Sequence, residues 1–259
     1  SFPLQFKWLG ADSTHAIEDQ VAAGVMQAWR DQTGDILAFL PGVREIERVR
    51  ERLTPRLPET PILPLHGQVD PAGQRAAIRR DADGRRRIVL ATAIAETSLT
   101  LDGVSNVVDS GLARMAEFDR AAGTTRLVTH RASQAASAQR AGRAARQGPG
   151  VAYRLWEEAG HAGRPEFAPP EIETADLSAL LLNLALWGTS DPSSLPWLDA
   201  PPAASISAAR VGLAAMGAVD EAGQITSLGR AVARLPMAPH EAAALLHGAA
   251  AGMAQQTAQ

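Results

Sequence analysis

Three side chains within eight residues could do chemistry together. Gln139, Arg143 and Arg146 are spaced four and three residues apart. On an α-helix advancing about 100° per residue, they fall within roughly 60° of one another. One helix face then offers an amide and two forked cations. Such a face can hold phosphoryl oxygens and stabilise charge building on them during transfer. Gly142 lets the backbone come close to a neighbour, at some cost in helix stability. By the same rotation, Arg140 sits about 100° from Gln139 and is expected to face away from the phosphate.

The elements that must position this face read as a parallel α/β sheet, because short apolar runs alternate with helical patterns. Asp35–Leu40 is strand-like, and Pro41-Gly42 breaks it before an amphipathic helix through about Leu53. Ile62–Leu65 is the next strand candidate, and Asp70-Pro71 supplies an N-cap and first-turn proline for a helix through about Arg80. Arg87–Ala91 and Asn106–Asp109 are further short buried strands. Met115–Asp119 and Thr125–Thr129 flank Arg120-Ala-Ala-Gly123 and predict a β-hairpin. Ser133 is placed to cap a helix running to about Arg146, which Gly148-Pro149-Gly150 stops before a last strand, Val151–Trp156.

Past Gly160 the composition changes. Arg164–Pro170 is proline-rich and reads as a linker. Helical patterns follow at Asp176–Trp187, Ser205–Met216, Ser227–Leu235 and from His240 onward, with a turn, Asp220-Glu-Ala-Gly223, between the second and third. That order is a winged-helix pattern. Domains are expected at 1–160, 161–239 and 240–259, the last being the start of a truncated helical, ratchet-like domain, since the chain ends without a stop signal.

Composition narrows the chemistry. Lys7 is the only lysine, the other 24 of 25 basic residues being arginine. A phosphate loop of the G-x-x-x-x-G-K-[ST] type needs a lysine preceded by glycines, and Lys7 has none before it. This chain therefore cannot hold a nucleotide by that loop alone. No cysteine is present, which excludes disulfides, cysteine-ligated zinc and thiol catalysis and fits a reducing cytoplasm. No run approaches the roughly 20 apolar residues of a membrane span. The net charge of −3 argues mildly against tight nucleic-acid binding, yet residues 110–154 hold eight arginines against Glu117 and Asp119.

Gln139-Arg-Ala-Gly-Arg-Ala-Ala-Arg146 closely resembles motif VI of superfamily 2 helicases. Upstream, Ile88–Val104 resembles motif V of the DEAH-box group, and Val107–Arg114 the segment that follows it. Leu37–Gly42 with Glu45-Ile46 is similar to motif IV, and Pro64-Leu-His-Gly67 to the next element. Five motifs in the family's order make a specific signal, and the winged-helix pattern extends it over nearly the whole chain. Ser1-Phe-Pro-Leu and Tyr153–Trp156 favour the bacterial HrpB-type branch. Ala93 and Ala145 depart from the family's usual Asn and Gly.

The resemblance implies an α/β fold: a second RecA-like domain with a β-hairpin, followed by a mostly helical winged-helix domain. It implies a fragment of an ATP-dependent RNA helicase that couples hydrolysis to translocation on single-stranded RNA, 3′ to 5′. On this carry-over Arg143 and Arg146 contact the γ-phosphate, Arg146 as the arginine finger, and Gln139 helps place the attacking water. Thr100 and Asp102 approach the ribose, with Ser98 near the γ-phosphate or RNA backbone. Thr92, Thr97 and Arg114 face RNA, and the hairpin separates strands. ATP and Mg2+ are expected to be held mainly by a preceding RecA-like domain, with no metal site in this chain. A non-catalytic nucleic-acid-binding or adaptor module and a DNA-directed helicase of the same superfamily stand as alternatives.

Other features read as structural. Asp220–Gly223 belongs to the expected wing rather than to a magnesium site, and His66 supports a loop by hydrogen bonding. Trp187, Trp197 and the leucines Leu180–Leu186 pack at helix-core spacing. Arg85-Arg-Arg87 reads equally as a nucleic-acid patch or a solvated run.

Overall fold

The structure, a computed structural model, describes residues 2–96, 100–189 and 191–253. It divides into two compact units, Ser1–Met115 with Val128–Ala168, and Ala116–Leu127 with Pro169–Gln259.

The first unit opens with β1 (Leu4–Trp8) and α1 (Ile17–Asp31), followed by β2 (Asp35–Phe39), α2 (Val43–Leu53), β3 (Ile62–Leu65), α3 (Pro71–Ile78) and β4 (Ile88–Ala91). β5 (Val104–Asp109) leads into the hairpin strands β6 (Leu112–Asp119) and β7 (Thr124–Arg131), then α4 (Gln134–Gly142) and β8 (Gly150–Arg154). Six strands form one all-parallel sheet in the order β1-β8-β5-β2-β4-β3. A parallel sheet is covered on both faces, so its central strands run apolar throughout. β2, β4 and β8 are buried along their whole length.

Alternation along the strands sorts two cores. Ile36, Ala38, Ile88, Leu90 and Val108 meet Val21 and Val25 of α1 and Ile46 and Val49 of α2. Leu37, Phe39, Val89, Ala91 and Val107 meet Ala77 of α3 and Ala141 of α4 on the opposite face. α3 starts as its sequence predicts: the Asp70 carboxylate accepts from Ala72 N (2.9 Å) and Gly73 N (3.0 Å). These two amides, Gly73 first, hold the Asp70 carboxyl below the usual carboxylate range.

Several expectations need correction. α4 stops at Gly142, four residues short of Arg146, and the chain goes on in i→i+3 turns at Ala144 and Ala145. Gly142 weakens the helix, and Gly150 seats itself against the Ala144 carbonyl, where a β-carbon would collide. The expected linker is in part fixed structure: Arg164 is buried and donates to Gly111 O (2.7 Å) and Ala132 O (3.0 Å). Arg85–Arg87 is not a uniformly solvated run: only Arg85 is exposed. Arg85 pairs with Asp81, Arg86 lies over the Trp29 ring, and Arg87 is fully buried. Arg87 binds Asp35 Oδ2 (2.8 Å) and the carbonyl oxygens of Ala76, Ala77, Ile78, Arg79 and Asp102. It thereby caps the C-terminus of α3 and ties it to the start of β2 and β5.

The second unit is helical, with α5 (Glu171–Thr174), α6 (Ser178–Trp187), α7 (Ala203–Ala215), α8 (Ser227–Val232) and α9 (Pro239–Ala250). Leu181, Leu182, Leu213, Val232 and Ala242 share its core. Between α7 and α8, Val219 and Ile225 form an antiparallel bridge around the Asp220–Gly223 turn. Asp220 spends its carboxylate on its own turn, accepting from Gln224 N at 2.8 Å. Trp187, expected in the core, is 76% exposed. No helix among the described residues is long and apolar enough to cross a membrane.

Gly150 and Gly148 make an internal test of this packing. A β-carbon at Gly150 meets the Ala144 backbone, whereas Gly148 has open space around it. Gly150→Ala should lower the unfolding free energy by about 1–3 kcal/mol, while Gly148→Ala should change it by less than about 1 kcal/mol. Urea midpoints of the two variants check the difference.

Candidate functional site

α4 is held rigidly before it presents anything. Ser133 Oγ accepts from Ala136 N (3.1 Å), and the amides of Gln134 and Ala135 donate to Pro165 O (2.8 Å) and Glu166 O (3.0 Å). Every early helix amide that finds a partner this way fixes one more point of the helix start.

Arg140 then fixes the rotation of the helix. It points into the protein and is 1% exposed. Its Nε donates to Glu96 Oε1 (2.7 Å), and its Nη1 donates to Asp109 Oδ1 (2.8 Å) and Leu112 O (2.9 Å). The guanidinium also lies over the Phe39 ring, 5.2 Å from its centroid. Burial alone would lower its pKa, but Asp109 and Glu96 outweigh burial and hold it above its ordinary value. The sequence offers one signal for such a group: Asp109 closes an apolar strand, and a buried carboxylate needs a cation.

With Arg140 inward, rotation along α4 places Gln139 and Arg143, and the i→i+3 turns that follow carry Arg146. Arg143, about 60° away, is buried and donates from Nη2 to the Glu96 carbonyl. Burial and then the nearby charge of Arg146 lower its pKa, offset in part by Glu96. Gln139 and Arg146 are exposed, and their side chains have no hydrogen bond or ion pair among the described residues. The end of α4 thus gathers two like charges and an unengaged amide, an arrangement an anion would relieve.

The remaining residues lie along the segment joining β4 to β5. Thr92 leaves β4 at the C-terminal edge of the sheet, where Thr92 N donates to Leu65 O (3.2 Å). Thr100 is exposed, and its side chain has no hydrogen bond among the described residues. Asp102 sits at the opposite edge, at the start of β5, with its amide donating to Ile78 O (3.0 Å). Thr97 and Ser98 lie outside the described residues. Arg114 is half-buried in an ion pair with Glu45 of α2 (2.9 Å) and a 3.3 Å hydrogen bond to Thr129 Oγ1. His66 supports its loop, accepting from Gln68 N at 3.2 Å.

One residue escaped the sequence reading. Gln147 donates from Nε2 to Asp102 Oδ1 (3.0 Å) and accepts from Gly103 N (3.0 Å). Motif V and the end of motif VI are therefore joined twice on one face of the sheet, by the Glu96 contacts and by Gln147.

This geometry belongs to a known class. The helicase conserved C-terminal domain model matches residues 17–148, and the helicase-associated winged-helix (HA2) model matches residues 212–237. The chain belongs to the helicase C-terminal domain family, with the RecA-like fold described above. It is 41% identical over 247 residues to the ATP-dependent RNA helicase HrpB of Escherichia coli K12, covering 95% of this chain and 30% of that protein. It is 38% identical to the pre-mRNA-splicing factor ATP-dependent RNA helicase prp22 of Schizosaccharomyces pombe, covering 99% of this chain and 23% of that one. A crystal structure of the E. coli DEAH/RHA helicase HrpB superposes on the whole chain with a TM-score of 0.94 at 39% identity, using 33% of its own length. The chain spans about a third or less of the length of these relatives.

The inward and outward arginines of this site should separate cleanly in stability. Arg140→Ala strands the buried carboxylate of Asp109 and the half-buried one of Glu96 and should cost about 3–5 kcal/mol. Arg146→Ala removes an exposed, unpaired side chain and should stay within about 0.5 kcal/mol of the parent. Equal effects in urea unfolding would mean that Arg140 does not carry the site.

Proposed function

We propose that this chain is the second RecA-like domain and winged helix of an ATP-dependent RNA helicase, working on single-stranded RNA in the cytoplasm. The observation that carries this reading is the strip Gln139–Arg143–Arg146. Gln139 lies on a helix whose rotation is locked by the Arg140–Glu96–Asp109 ion triad. Arg143 caps that helix and Arg146 follows in the next turn, so that an amide and a guanidinium stand exposed and Arg143 is buried. Arg143 and Arg146 engage the γ-phosphate, Arg146 as the arginine finger, and Gln139 orients the attacking water. Thr100 and Asp102 meet the ribose, and Ser98 lies near the phosphate or the RNA backbone.

Thr92 meets RNA phosphates at the C-terminal edge of the sheet, where open α/β sheets bind their ligands, and Thr97 also meets RNA. Arg114, held by Glu45, borders that track, and the β6–β7 hairpin separates strands. The domain boundaries near 160 and 239 belong to the same proposal. So does a preceding RecA-like domain that brings the phosphate loop and the Mg2+ site, because Lys7 is the only lysine here and lacks the glycines a phosphate loop needs. ATP then sits between two domains, and its hydrolysis opens and closes the cleft.

In the full-length protein, Arg146→Ala should lower kcat for RNA-stimulated ATP hydrolysis by about 10³-fold or more, with far less change in ATP affinity. Arg146→Lys should not restore it, because an ammonium lacks the planar fork. A variant that loses affinity and turnover equally would make Arg146 an ordinary binding residue.

The isolated chain should hydrolyse no ATP above background. Its RNA binding should be weak and follow a log–log salt slope of about −0.7 per phosphate contact. Tight, salt-insensitive or base-specific binding would favour a non-catalytic binding module instead.

A further inference from the structure

Asp102 is fixed in two different ways. Its backbone is held from three sides: its amide by Ile78 O (3.0 Å), its carbonyl by Arg87 Nη2 (2.7 Å), and the next carbonyl, of Gly103, by Asp35 N (3.1 Å). Gly103 takes φ +83°, and a β-carbon there would meet Arg80 Nε and Asp35 Oδ2 at 2.9 Å each, so the turn cannot relax around a larger residue. The side chain has a single support. Gln147 Nε2 donates to Asp102 Oδ1, while Gln147 Oε1 accepts from Gly103 N, each at 3.0 Å. The second carboxylate oxygen, Oδ2, has no partner among the described residues.

A carboxamide that both donates to and accepts from the same turn is held at two points, so it constrains rotation as well as position. It occupies one Asp102 oxygen and leaves the other as a directed acceptor. Gln147 also directly follows Arg146, so the same amide sets the spacing between the cation at one end of the site and the carboxylate at the other.

We infer that Gln147 is a positioning residue: its carboxamide aims the Asp102 carboxylate at the hydroxyls of a nucleotide's ribose and thereby sets the preference for a hydroxylated sugar. This rests on the proposed reading in which Asp102 meets the ribose. Without Gln147, the Asp102 side chain regains its three staggered χ1 wells, and the competent one falls to about a third or less of the population. The cost appears only with a sugar that offers hydroxyls, because a sugar without them never used the aimed oxygen.

The test compares equilibrium binding of ADP and 2′,3′-dideoxy-ADP to the full-length protein by titration calorimetry. The parent should bind ADP about tenfold to hundredfold more tightly, the range of a hydrogen bond to a charged acceptor. Gln147→Met, and Gln147→Ala as a second variant, should raise the Kd for ADP about threefold to tenfold and leave that for the dideoxy analogue unchanged. Their melting temperatures should match the parent's, since Gln147 is exposed.

Equal weakening for both ligands, or none for either, would overturn the positioning role. Asp102→Ala separates this from the underlying reading. If it abolishes the ribose preference while the Gln147 variants keep it, Asp102 meets the ribose without help from Gln147. If the preference survives Asp102→Ala, or is missing from the parent, the ribose assignment itself fails and the inference with it.

Discussion

Everything exposed on α4 depends on one residue that is not. Arg140 carries a full charge into a site that excludes water, which is tolerable only because two carboxylates and a carbonyl meet it there. Such a group cannot rotate out without leaving Glu96 and Asp109 uncompensated, so it fixes the angle of the helix about its own axis. Once that angle is set, rotation alone puts Arg143 at the buried margin and Gln139 on the outside. A basic motif with alternating roles follows: one arginine anchors, and the others are presented.

The carboxylates that hold Arg140 come from two other stretches of the chain, and this joins regions that would otherwise be independent. Asp109 ends β5, and Glu96 sits midway along the segment from β4 to β5. That segment starts at the C-terminal edge of the sheet with Thr92 and finishes at the N-terminal edge with Asp102. α4 runs across the same face in the same sense, from Ser133 near the end of β5 to the turns before β8. Two arginines of the motif VI stretch reach Glu96, one at its carboxylate and one at its carbonyl, and Gln147 closes the far end. α4 and the turns after it are therefore tied to the β4–β5 segment at Glu96 and at Asp102.

The sheet was legible because both of its faces are covered. Ile36–Phe39, Ile88–Ala91 and Val107–Val108 are apolar without interruption, which only a doubly buried parallel strand requires. β1 and α1 went unread for the opposite reason. β1 is an edge strand with exposed Gln5 and Phe6, and α1 buries mainly alanine, glycine and valine, with no side-chain cap to mark its start. The motif VI face was legible from spacing, yet the inward turn of Arg140 was not, because periodicity gives relative angles and no absolute one. The same limit hid Arg87 and Arg164. A sequence shows an arginine's charge, whereas the carbonyls that justify burying it come from distant residues such as Ala76 and Gly111.

The two departures from the family's motifs can be weighed by the same logic. Ala145 is 7% exposed, so its extra methyl is spent on the interior beside Ala144 rather than on the open side where Arg146 stands. Ala93 is exposed on the short 3-10 turn that follows Thr92, where its methyl displaces nothing. Ala93 meets Glu96 through its backbone, its carbonyl accepting from Glu96 N (2.9 Å), a bond that any residue at 93 can make. What Ala93 removes is a polar group at the edge of the sheet, one step from Thr92, so its effect falls on the contacts made there. The frame that orients Arg143 uses the Ala93 carbonyl, through Glu96 N, and does not depend on the side chain at 93.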